Sequence, residues 1–266
     1  MSLPMRACSL LVLSGLLSVS GQVSVASAQA QLAAVDSFTS SFSAANLYPE
    51  YRRSRELALM GAGVATLATG LLIQVDVRDV PVGGLDPSEI SWSVDRDQVG
   101  NISVDADHLS DWTRTSAIVL PFVLALATED SGARWRGLAR RGIVYAETFA
   151  FSQGSTAISK TTIGRPRPYP YLPADQRPME ASFDATQDRS FLSMPSGHSS
   201  SSWTGASLAM TEHLLTRPRA SWPERVGVGF LGGTLAGMTS ALRVTAGQHF
   251  PSDVLVGAGI GVASGV

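Results

Sequence analysis

From Leu57 onward the chain runs through one helix-length apolar stretch after another, with almost no alternation of period two. The first, LALMGAGVATLATGLLIQV, extends from Leu57 to Val75 and is followed by stretches at 115–128, 142–163, 199–215, 226–242 and 252–266. A strand buried on one face alternates apolar and polar residues, and these stretches do not. The pattern predicts an all-α fold, a helical bundle of about six core helices. Between them, the acidic segment 76–114, with Pro81, Gly83, Gly84 and Pro87, reads as a loop, and RWRGLARR at 134–141 reads as a basic connector. The proline-bearing segment 169–194 reads as a long loop over a functional region.

The N-terminus has a different character. Met1 to Arg6 is short and basic, Ala7 to Gly21 is apolar, and Ala26-Ser27-Ala28 has the small-x-small pattern of a cleavage site. We expect residues 1–28 to be a signal peptide, 29–56 an N-terminal arm, and 57–266 the helical domain. Export predicts a periplasmic protein; the alternative is an integral membrane protein with its site facing the periplasm. The basic clusters at 52–55, 134–141 and 217–225 fall on one side of a six-span arrangement, as the positive-inside rule asks. Most of the stretches are nevertheless shorter than about 18 apolar residues, which favours a secreted bundle. The sole cysteine, Cys8, lies in the leader, so the mature chain has no disulfide, thiol nucleophile or cysteine-based metal site. A net charge of −2, with basic residues confined to short clusters, gives no sign of nucleic acid as a partner.

Three blocks carry candidate chemistry. In KTTIGRPRP, Gly164 and Pro166 stop a helix, which leaves Lys160 in its last turn and Arg167 in the loop beyond. In PSGH, Ser196, Gly197 and His198 open a helix whose free N–H groups and dipole favour an anion. In RVTAGQHFPSD, Asp253 follows His249 by one helical turn, so its carboxylate can orient the ring and leave the other nitrogen free to attack. Singly, each block has an ordinary reading: solvated arginines, a serine-rich cap, a helix start beside a histidine. Jointly, Lys160, Arg167 and Arg243 with N–H donors describe a pocket for a tetrahedral oxyanion, and two histidines add a nucleophile and a proton donor. His108, in the acidic segment, and His213, within a helix, are expected to be solvated or structural.

The succession Lys-x6-Arg-Pro, Pro-Ser-Gly-His and Arg-x5-His-x3-Asp over 160–253 resembles the signature of the type 2 phosphatidic acid phosphatase superfamily. That superfamily includes the bacterial class A acid phosphatases and the vanadium haloperoxidases. Leu242 departs from it, since a serine often precedes the third-block arginine. The resemblance implies an all-helical core and a phosphatase in which His249 is the nucleophile, oriented by Asp253. It further implies that Lys160, Arg167, Arg243, Ser196 and Gly197 bind the phosphate and that His198 acts as acid and base, with no metal and no cofactor required. The chain is shorter than typical haloperoxidases, which favours a phosphatase over a vanadate-dependent haloperoxidase. A phosphate-binding protein without turnover has no use for a His249–Asp253 pair. The expected partner is a phosphate-ester substrate, either a soluble monoester or a lipid phosphate or pyrophosphate. Tyr169, Tyr171 and Phe183 in the long loop are candidates to admit a lipid, with membrane association as the corollary.

Overall fold

In the computed structural model, the described residues are 53–73, 79–128 and 134–266. The signal-peptide reading of 1–28, and the arm as far as residue 52, fall outside them. The described chain is all-α: among these residues there is no strand. Its long helices are α1 (Arg53–Leu72), α3 (Val104–Thr128), α4 (Arg134–Ile163), α5 (Gly197–Thr216), α6 (Trp222–Thr245) and α7 (Pro251–Gly265), with a single-turn helix α2 (Ser93–Arg96). Helix α5 is central and packs on α3, α4, α6 and α7, while α1 packs on α4.

Two segments differ from the sequence expectation. Residues 104–114, read as loop, form the first turns of α3. Its buried positions Asp107, Ser110, Thr113 and Ala117 follow helical spacing, but three of them are polar, so the face turned inward looks solvated in sequence. The basic run 134–141 is not a connector either; it begins the 30-residue α4, and Arg141 is buried against Glu212 at 2.8 Å.

Small hydrogen-bonding side chains hold the centre of the bundle together. Ser152 of α4 bonds Ser200 and Thr204 of α5 at 2.9 and 2.7 Å, Thr156 donates to Ser200 at 2.9 Å, and Ser199 reaches Ser240 of α6 and the Val254 carbonyl of α7. The serine run after His198 therefore ties α5 to three neighbours, with its buried hydroxyls satisfied.

The segment between α4 and α5 is a series of short 3-10 turns anchored by aromatic rings. Tyr169, Tyr171 and Phe183, considered above as entrants to a lipid site, are instead buried. Tyr169 stacks edge-on against Phe183 and Tyr171 against Phe250. Burying each ring contributes roughly 1.5–3 kcal/mol, and together they fix the loop that carries Arg165 and Arg167.

Candidate active site

Helix ends converge at one end of the bundle. The last turns of α4 and α6 supply Lys160 and Arg243; the first turns of α3, α5 and α7 supply Asp107 and Asp111, His198, and Asp253. Gly164, at φ +59°, ends α4 with its N–H on the Lys160 carbonyl. Gly247, at φ +70°, ends α6 and packs against the Asn101 carbonyl, where no side chain fits. That turn delivers Gln248 and His249 to the interior.

His249 is 1% exposed. Burial, then the charges of Arg167, Lys160 and Arg243, hold its pKa well below the ordinary histidine value, while the Ser193 backbone acts in the opposite direction. The same cations act on one another. Burial with Arg167 and Arg243 pushes Lys160 well below the usual lysine range, and burial with Arg167 brings Arg243 down to about 10. Lys160 Nζ donates to the Leu192 carbonyl at 2.7 Å, and Arg167 Nε donates to the Arg189 carbonyl at 2.8 Å. A chain of polar contacts then runs from Arg167 to Gln248 Oε1 (2.5 Å), from Gln248 Nε2 to Asp107 (3.4 Å), and from Asp107 to Arg243. Arg243 Nε is buried with no partner among the described residues, an orphan donor that an anion would satisfy.

Ser196 caps α5, its hydroxyl accepting from the Ser199 N–H at 3.4 Å, and it is fully buried. Gly197, at the first helical position, lies beside Lys160: a Cβ placed there would stand 3.8 Å from Lys160 Cε. His198 Nε2 lies 2.7 Å from Asp111 Oδ1 and 3.3 Å from Arg114. Burial, Arg243, Arg114, His249 and Arg167 all push the His198 pKa down. Asp111, itself 60% exposed, is the nearest carboxylate favouring the charged ring.

Asp253 is fully buried but is not hydrogen-bonded to His249; its Oδ2 is 3.7 Å from Nδ1. The carboxylate instead accepts from Ser193 Oγ (2.5 Å), the Phe250 N–H (2.8 Å) and Arg165 (2.6 Å). Lys160, Arg167, Arg243, Gly197, His198 and His249 thus share one end of the fold, together with the buried Ser196 and Asp253. His108 is exposed, and His213 is buried away from this end, 3.9 Å from Glu224.

Asp107, Asp111, Arg114, Arg165, Ser193 and Gln248 were not singled out in the sequence reading. Asp107 had a signal in the helical spacing of 107, 110, 113 and 117, and Asp111 stands one helical turn after it; for Ser193 there was none.

No curated protein and no solved structure matches the chain. The family model described as the PAP2 superfamily matches residues 141–266, a segment containing every cation and histidine of the converging helix ends except Arg114. Through residues 141–266 the chain belongs to the PAP2 superfamily, a group of phosphatase- and haloperoxidase-type proteins.

Proposed function

We propose that the protein is a metal-independent phosphatase that hydrolyses phosphate esters through a phosphohistidine at His249. One observation carries the reading: Lys160, Arg167 and Arg243 act on one buried histidine, His249, whose pKa burial and these three charges hold well below the ordinary histidine value. A neutral imidazole is a nucleophile, and three positive charges around it are a binding site for a phosphoryl dianion.

In the reaction, the imidazole lone pair of His249 attacks phosphorus and the ester P–O bond breaks. His198, protonated once the substrate's phosphate dianion joins Asp111 in offsetting burial and the cations, gives its proton to the departing alkoxide. Neutral His198 then takes a proton from water, whose oxygen displaces His249 from phosphorus and releases inorganic phosphate. The cations, the Ser196 hydroxyl and the Gly197 N–H stabilise charge on the equatorial oxygens, each contact contributing about 2.7–4 kcal/mol in the transition state. Charge neutralisation assigned elsewhere to divalent ions falls here to lysine and arginine. Asp253 holds its place behind the ring.

Lipid phosphates and pyrophosphates are included among the substrates. Trp112, Val119, Phe122 and Val123 on α3 and Trp222, Val226 and Phe230 on α6 are exposed apolar side chains on two adjacent helices, which supports association with a lipid surface. Among the described residues, no helix is long and apolar enough to cross a membrane. With residues 1–28 as a cleaved leader, the enzyme works in the periplasm.

Phosphate release from p-nitrophenyl phosphate and from phosphatidate in mixed micelles, in excess EDTA, tests the proposal. Turnover by the parent protein and its loss in His249→Ala support it. Inactivity of the parent on both substrates, with bromide oxidation in vanadate and peroxide, replaces it with the haloperoxidase alternative.

A further inference from the structure

Behind Asp253 lies a second charged group that the reaction above does not use. Arg165 donates through Nη1 to Asp253 Oδ1 at 2.6 Å and to Ser252 Oγ at 2.6 Å, and through Nη2 to Asp95 Oδ2 at 2.8 Å. Its guanidinium lies over the Phe250 ring, 4.4 Å from the centroid. Asp95 is 1% exposed and also accepts from the Ser252 N–H (3.1 Å) and Oγ (2.5 Å). Burial works against the charge on Arg165, but Asp253 and Asp95 raise its pKa above the ordinary arginine value. Two carboxylates and one guanidinium, formally one net negative charge, are thus held together around Ser252 and beside the Phe250 ring.

The geometry points to Arg165 as a positioning residue for His249, acting through Asp253, with Asp95 as the counter-charge that sets how much of the Asp253 charge His249 feels. Arg165 is not placed to bind phosphate. It fronts a separate cavity of about 360 Å³, lined by Trp92, Tyr171, Met194, Asp95 and Ser252, which none of Lys160, Arg167, His198, Arg243 or His249 lines.

The sign of each substitution follows from charge. Replacing Arg165 by glutamine leaves two carboxylates and no cation behind the ring, which favours protonated His249. Replacing Asp95 by asparagine leaves Arg165 to neutralise Asp253 alone, which disfavours it. The other groups acting at His249, namely Lys160 on α4, Arg167 in the loop, Arg243 on α6, His198 on α5 and Asp107 on α3, are unchanged in both. Loss of packing alone would not move the two variants in opposite directions.

The inference rests on His249 as nucleophile, so the experiment has two readouts in the full-length protein. In the first, kcat and KM for p-nitrophenyl phosphate are followed against pH for the parent, Arg165→Gln and Asp95→Asn. Arg165→Gln is expected to lower kcat about 10–100-fold with little change in KM, and to move the acidic limb up by about one pH unit. Asp95→Asn moves that limb down. Guanidinium, small enough for the cavity, restores part of the activity of Arg165→Ala. The second readout is an NMR titration of the His249 ring, assigned among the four histidines by its absence in His249→Ala. Its pKa rises in Arg165→Gln and falls in Asp95→Asn. Unshifted or same-direction titrations, or a loss confined to KM, overturn the inference; if Arg165→Gln does not fold, Asp95→Asn decides by its downward shift. If the parent releases no phosphate but the ring titrations move as stated, the phosphatase reading fails and the positioning role stands.

Discussion

Asp253 stands 3.7 Å from the Nδ1 of His249, beyond hydrogen-bond distance, and its oxygens are engaged by Ser193, Phe250 and Arg165 instead. The charge state of the ring is therefore governed less by a carboxylate than by burial and by Arg167, Lys160 and Arg243, all of which oppose protonation. For a base whose pKa is depressed, the neutral form persists to lower pH. The acidic limb of kcat/KM is expected below the ordinary histidine value of about 6.5. A bound phosphate dianion offsets the cations, so the limb in kcat lies at higher pH than that in kcat/KM. Profiles of both constants check this; limbs that coincide would remove the cations from control of His249.

Asp111 accepts from His198 and is the nearest group favouring its protonated form. Asp111→Asn lowers the His198 pKa further, so the alkaline limb moves to lower pH. With an alkyl phosphate, whose leaving group needs a proton, kcat near neutral pH falls about 10²-fold. With p-nitrophenyl phosphate the fall is much smaller, because the phenolate leaves unassisted. Equal losses on the two esters would contradict a general-acid role for His198.

The cations and histidines were legible in sequence because each block is local: a helix stop, a helix start and a helical turn place Lys160, Arg167, His198, Arg243 and His249 within short, ordered spans. Their counter-charges were not. Asp95, Asp107 and Asp111 lie outside the segment matched by the family, and Asp107 and Asp111 belong to a helix face that is polar because it faces the cations. A face of that kind inverts the usual signal, in which apolar positions mark burial. Arg134 to Arg141 misled for the complementary reason: charge was read as solvation, although Arg141 is buried with Glu212. The bundle itself was legible from the absence of period-two alternation. Which aromatic rings anchored the long loop depended on contacts with α7 and with other parts of the same loop, which sequence spacing does not reveal.

The Arg243–Asp107 pair is buried, and Asp107 also receives Gln248, the partner of Arg167. Asp107→Asn leaves Arg243 uncompensated in the interior and loosens the link between it and Arg167. A loss of about 3–5 kcal/mol in unfolding free energy is expected, read from the urea midpoint at constant slope. KM for any phosphate ester rises along with it. A stable variant with unchanged KM would make the pair dispensable.

Two glycines on α7 separate packing at the site from intrinsic helix preference. A Cβ on Gly257 would stand 2.5 Å from the Ser196 carbonyl and 3.2 Å from Ser199 Cβ, whereas one on Gly259 meets nothing within 4 Å. The Ser196 N–H also donates to the Asp253 carbonyl at 2.9 Å, so moving α7 away from α5 displaces the Ser196–Gly197 turn and the Asp253 backbone together. Gly257→Ala is expected to cost about 1–3 kcal/mol of stability and to lower kcat. Gly259→Ala, on the same helix but exposed, gains up to about 1 kcal/mol from helix propensity and leaves kcat unchanged. Thermal unfolding and turnover of the two variants side by side check the contrast. If both behave alike, the close approach of α7 to the start of α5 is not what holds the turn in place.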